Sequence, residues 1–142
     1  MFSQLQQEYF KCKFTLAQIK AAHQKVKSGA DFPSYIRELI QLGIRTYNIY
    51  VSDGHAAYFG AGGYQVLSEA RYSELPINAD PDPELFRAHL LLHQQGGSDY
   101  LTFCRHCAET GITKWTADLQ AMTCIYYDDD GNEVLTETIP SV

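Results

Sequence analysis

The chain repeats itself at an offset of 68 residues, where Phe32 to Glu69 aligns with Tyr100 to Glu137 without a gap. Eight of those 38 positions are identical: Arg37/Arg105, Gly43/Gly111, Ile44/Ile112, Tyr58/Tyr126, Gly63/Gly131, Val66/Val134, Leu67/Leu135 and Glu69/Glu137. Ordinary residue frequencies would give about two by chance. Aromatics also fall on aromatics, as Phe32/Tyr100, Tyr35/Phe103, Tyr47/Trp115 and Phe59/Tyr127, which equivalent core positions in two copies require. His23-Gln24 and His93-Gln94 recur two residues off the main offset. The loop before the second helix therefore differs in length between the copies, and loops absorb such changes.

Each copy reads as helix, helix, strand, strand and a short third strand. Thr15 and Gln18 stand at capping-box spacing, with Phe14 and Ile19 placed as a hydrophobic staple. Leu16, Ile19, His23 and Val26 then form one helical stripe that Ser28-Gly29 ends. A second helix is expected from about Pro33 to Leu42, with Tyr35, Ile36, Leu39 and Leu42 inward and Gly43 as its stop. After Gly43 the period changes to two, with Tyr47, Ile49 and Val51 on one face and Thr46, Asn48 and Tyr50 on the other. Asp53-Gly54 signals a tight turn into a strand over Ala56 to Phe59, and Gly60 to Gly63 turns again into Tyr64 to Leu67.

The second copy predicts a helix capped by Asp82 and running to about Gln95, and another capped by Asp99 and running to Thr110. Strands follow near Ile112 to Leu119, Met122 to Tyr127 and Glu133 to Ile139. Ala70 to Pro81 connects repeats spanning about residues 14–69 and 82–139. Two such units cannot each bury a core alone. The expected class is α+β: one domain over residues 1–142 in which both repeats share one antiparallel sheet with the helices on one face.

Composition narrows the functional classes. A hydrophobic share of 45% with 20% charged residues is that of an ordinary globular chain. A net charge of -6 with 11 scattered Lys and Arg disfavours nucleic acid, because phosphate neutralisation needs clustered cations. Lys11, Lys13, Lys20, Lys25 and Lys27 make the first helix basic and read as a solvated face. No apolar run is long enough to span a bilayer, and the first residues lack the pattern of a signal peptide, so the expected location is cytoplasmic. Cys12, Cys104, Cys107 and Cys124 are then expected as reduced thiols, the last three buried.

Several residues invite a chemical reading. His89 and His93 lie four apart on one expected helix, and Cys104 and Cys107 three apart on the next, a set of zinc-ligating types. The repeat, however, puts Ile36 and Leu39 at the positions of Cys104 and Cys107, which assigns both cysteines to the core. His23 and His93 each precede an aspartate, Asp31 or Asp99, and a His-Asp pair orients a general base. A feature kept in both copies more often serves the repeated fold, with each histidine packed on its helix stripe and hydrogen-bonded across the loop. Asp128 to Glu133 has the acidic look of a calcium loop, but Tyr126 stands five before Gly131 where such a loop wants Asp, so Asp130-Gly131 reads as a hairpin turn. Gly60 to Gly63 lacks the lysine of a phosphate loop and reads as a turn as well.

The stretch HQQGGSDYLTFCRHCAETGITKWTADLQAMTCIYYDDDGNEVLTETIP resembles the YbcV/YdfO-like family of short bacterial and prophage proteins of unknown function, and FPSYIRELIQLGIRTYNIYVSDG extends the likeness into the first half. The resemblance implies an α+β domain with no assigned activity, substrate, cofactor or catalytic residue. By analogy with prophage relatives it implies an accessory or host-interaction role.

No motif specifies a reaction or a cofactor. The leading reading is a small binding or regulatory protein acting through contact with a protein or a small ligand, a second copy of the chain included. The alternative is a small enzyme or metal-binding protein using His89, His93, Asp99, Cys104 and Cys107. For the leading reading, the polar strand face is the expected docking surface, with Tyr50 at its centre beside Thr116 and Asp118, because tyrosine offers apolar area with a hydroxyl handle.

Overall fold

The computed structural model describes residues 14–27 and 29–140, so Lys11, Cys12, Lys13 and Ser28 fall outside the described residues. Helix α1 spans Leu16–Gln24 and α2 spans Phe32–Leu42. They lead into β1 (Thr46–Tyr50), β2 (Ala56–Phe59) and β3 (Gln65–Leu67). The order recurs in α3 (Pro83–Gln94), α4 (Tyr100–Glu109), β4 (Ile112–Asp118), β5 (Thr123–Asp128) and β6 (Glu133–Thr138). The protein is α+β.

Local chemistry sets most of the helix ends. The Thr15 hydroxyl accepts from Gln18 N at 3.2 Å while Gln18 Oε1 accepts from Thr15 N at 2.8 Å, closing the capping box. Asp82 and Asp99 accept from Leu85 N and Thr102 N at the starts of α3 and α4. Gly43, at φ 99°, closes α2 in the left-handed conformation, and the next amide, Ile44 N, donates back to Leu39 O. Helix α1 ends at Gln24, short of the expected stop at Ser28-Gly29, and Gly29–Asp31 forms a 3-10 turn that delivers the chain to α2.

The six strands form one antiparallel sheet in the order β3-β2-β1-β4-β5-β6. At its centre β1 pairs with β4, with Thr46 opposite Asp118, Asn48 opposite Thr116 and Tyr50 opposite Lys114. The flanking pairs β1-β2 and β4-β5 share one register: Thr46 faces Phe59 as Lys114 faces Tyr127. The outer pairs differ. Tyr58 faces Val66, but Tyr126 faces Leu135 rather than Val134. Next to the turn the two still agree, with Phe59 facing Gln65 as Tyr127 faces Glu133; a bulge between Tyr126 and Tyr127 then adds one residue on β6, so the ungapped alignment no longer matches the pairing beyond it.

One face of the sheet carries Tyr58, Tyr47, Ile49, Trp115, Ala117, Cys124 and Tyr126, all buried in a single cluster with Ile19, Ile36, Leu39, Phe86, Phe103 and Cys107 from the helices. Phe86 meets Tyr126 at 4.9 Å between ring centroids, and Phe103 meets Trp115 at 5.6 Å. Burying each large side chain here contributes roughly 1.5 to 3 kcal/mol. The opposite face is half-buried or exposed except for Ala57, as a one-sided antiparallel sheet dictates. The segment from Ala70 to Pro81 is a fastened strap: Arg71 N donates to Asp53 O, Leu75 N to Ser52 O, and Asn78 N to Ala108 O at the end of α4.

Candidate functional site

Strand alternation places Tyr50, Thr116 and Asp118 together on the open face, as β1 and β4 are neighbours. Tyr50 is half-buried because its ring stacks on His55 at 4.4 Å and 9°. His55 is in turn fixed through Nδ1, 2.6 Å from Asp53 Oδ1, and its backbone N–H donates to the same oxygen at 3.0 Å. The hydrogen bond from the His55 amide holds the Asp53 carboxyl below the usual carboxylate range. The sequence reading assigns Asp53 to a turn with Gly54 and misses its contact with His55, for which the available signal is an aspartate two residues before a histidine.

Thr116 donates its hydroxyl to Asn48 Oδ1 at 2.7 Å. Asp118 has a local task too: its Oδ1 accepts from Gln120 N and Ala121 N, both at 3.0 Å, which shapes the turn into β5. Lys114, on the same face, lies 5.1 Å from the centroid of the Tyr127 ring. Around these polar groups stand Phe59, Leu67, Ile125 and Tyr127, of which Leu67 is 59% exposed.

The residues weighed for metal or base chemistry are not brought together. Cys104 and Cys107 are fully buried and belong to the core cluster, as the repeat implied. Cys104 sits beside the hydroxyls of Tyr72 and Tyr100, and burial raises both thiols, Cys107 well above the usual range. His93 instead stacks on Phe103 at 4.4 Å and its Nδ1 contacts Ser98 O at 3.1 Å across the loop. Asp99 caps α4. His89 stacks on His106 at 3.7 Å, and the buried His106 Nδ1 has no hydrogen-bond partner. Among the described residues no three His, Cys, Asp or Glu side chains are grouped to hold a metal ion.

A second polar cluster lies on the helix side of the sheet. Helix α1 packs on α2 and α3 on α4, and across the two pairs His23 meets Tyr100 edge-on at 6.3 Å between centroids. His23 also meets Tyr35 at 5.5 Å. Into this seam the strap sends Arg71, whose guanidinium carbon is 5.7 Å from the centroid of the Tyr100 ring. Tyr58, 1% exposed, lies close enough to feel the Arg71 charge. Burial pushes the Tyr35, Tyr58 and Tyr100 hydroxyls up and, with the Arg71 charge, lowers His23. No sequence pattern marks Arg71, because its place depends on the path of a connector through space.

Residues 20–138 match a family described as "Protein of unknown function (DUF1398)", and the chain belongs to that family. Comparison with curated proteins found no match. No helix among the described residues is long and apolar enough to cross a membrane.

Proposed function

We propose that this member of the DUF1398 family is a binding protein whose open sheet face, centred on Tyr50, Thr116 and Asp118, docks a second copy of the same chain. The observation that carries this reading is the makeup of the face. Tyr50, Phe59, Ile125 and Tyr127 give the face aromatic and aliphatic area beside the neutral Asn48 and Thr116, and no described helix covers it. The charges on β4 are self-complementary: Lys114 and Asp118 lie on either side of Thr116, so a twofold-related copy sets each lysine against the partner's aspartate. Tyr50, stacked on an anchored His55, loses little freedom on docking.

The finer placement among YbcV/YdfO-like proteins, a cytoplasmic setting, an accessory role in the host and a single domain formed by two duplicated units belong to the same proposal. Sedimentation of the purified chain tests it. Wild type sediments as a dimer, Tyr50→Glu with Thr116→Glu gives a monomer of nearly unchanged melting temperature, and Lys114→Asp alone weakens a dimer that Asp118→Lys restores. A wild-type monomer at every concentration, or unaltered assembly of the double variant, overturns the reading.

A further inference from the structure

Strand β6 ends the sheet, and no described strand lies beyond it. Ile139 N donates to Met122 O at 2.8 Å, so by antiparallel alternation Leu135 and Glu137 turn their backbone groups toward β5 while Thr136 and Thr138 turn theirs outward. From Leu135 to Thr138 the pairing with β5 is regular, because the bulge lies nearer the turn. The other outer strand, β3, offers only three residues before the chain leaves for the strap, against six in β6. Outward N–H and C=O groups along a regular edge are a template for one more strand, and from Glu133 to Thr138 there is no proline or lysine to block it.

Charge selects the occupant. Residues 115–142 hold six of the 17 acidic residues, Asp118, Asp128, Asp129, Asp130, Glu133 and Glu137, and none of the 11 lysines and arginines, so the whole net charge of -6 arises there. Asp129, Asp130 and Glu133 are exposed at the turn into β6, and Glu137 accepts from Gln94 Nε2 at 3.1 Å on the helix side. A second copy brought edge to edge sets these carboxylates against its own, which disfavours self-pairing, whereas a strand rich in lysine and arginine meets opposite charge. We propose that the outer edge of β6 takes up an extended basic segment of a partner protein as a seventh strand, hydrogen-bonded to the backbone of Thr136 and Thr138 and drawn in by Glu133, Glu137 and the Asp129-Asp130 turn. Strand addition takes its affinity from main-chain hydrogen bonds and its selectivity from the alternate side chains. Strands β4 and β5 separate this edge from Tyr50 on β1, so strand addition and the proposed dimer are independent of each other.

The isotope-labelled chain is titrated, up to about 1 mM, with three peptides of about six residues, the usual length of a strand. One alternates Lys and Val, one alternates Glu and Val, and the third is the Lys-Val peptide N-methylated at every backbone amide, which keeps the charge and removes the donors. NMR reads the shifts and the hydrogen exchange of the Thr136 and Thr138 amides. The Lys-Val peptide is expected to saturate the shifts and to slow exchange of both amides by about tenfold or more, while the other two leave them unchanged. Glu133→Gln with Glu137→Gln is expected to weaken the Lys-Val peptide by about threefold or more. Thr136→Pro removes an outward donor and leaves the bonds to β5 intact, so it is expected to abolish binding with an unchanged circular dichroism spectrum. The proposal is overturned if the Lys-Val peptide gives no saturable response, if either of the other peptides binds as tightly, or if the double glutamine variant or a folded Thr136→Pro variant binds like wild type.

Discussion

Thr116 hydrogen-bonds Asn48 across the middle of the sheet, and the two residues stand 68 apart in the chain, the offset of the sequence repeat. The same relation governs the bonds on either side. Val51 N donates to Thr113 O at 2.9 Å and Leu119 N to Arg45 O at 2.8 Å, and each of these four residues is the other bond's counterpart at that offset. The pairing of β1 with β4 thus reads the same from either half.

This symmetry of pairing predicts that an experimental structure, cut in two and superposed, places Gly43 over Gly111 and Tyr47 over Trp115. Unrelated environments for either pair in that structure would end the case for a duplication.

Stability should fall in mild acid. His23, His89 and His93 are lowered in the fold, desolvation being the largest cause in each, so the unfolded chain takes up protons first. Their contribution is complete above an unfolded value near 6.5 and is lost as pH falls below it toward the lower folded values. Asp53, Asp99 and Asp128 are also lowered, but their contribution is present above 3.8 and drains away only below it. Urea midpoints measured at about pH 7.5 and about pH 5.5 therefore isolate the histidines. The midpoint should drop between the two, and His89→Gln, which removes the stack on His106, should reduce the drop.

The thiols should be slow to react. Cys104 and Cys107 are fully buried, Cys124 is 8% exposed, and burial pushes the Cys124 thiol up to about 12. In a Cys12→Ser background, a thiol probe should label these three only as the protein unfolds. Rapid labelling of two of them in the native state contradicts the burial.

Two glycines with nearly equal φ separate backbone strain from steric clash. Gly111 (φ 85°) and Gly131 (φ 84°) are both left-handed, but a Cβ on Gly111 would lie 2.7 Å from Pro81 Cα, whereas one on Gly131 meets nothing within 4 Å. Gly131→Ala should cost about 1 kcal/mol and Gly111→Ala clearly more, about 2 kcal/mol or above, since the strap must shift. Equal destabilisation in denaturant titrations would show that the strap does not press on Gly111.

Local and periodic features were legible in the residues themselves. The capping box at Thr15, the carboxylate caps at Asp82 and Asp99, the stop at Gly43 and the alternation of Tyr47, Ile49 and Val51 depend on neighbours within a few positions, so one sequence carries their signal. The repeat added what single elements lack, assigning Cys104 and Cys107 to the core through Ile36 and Leu39. Tertiary structure alone decided the rest. The pairing of β1 with β4, the bulge that moves Leu135 opposite Tyr126 and the arrival of Arg71 over Tyr100 are contacts between distant segments. Their energies depend on how the whole core closes, and neither hydrophobic period nor capping chemistry reports where a connector will cross that core.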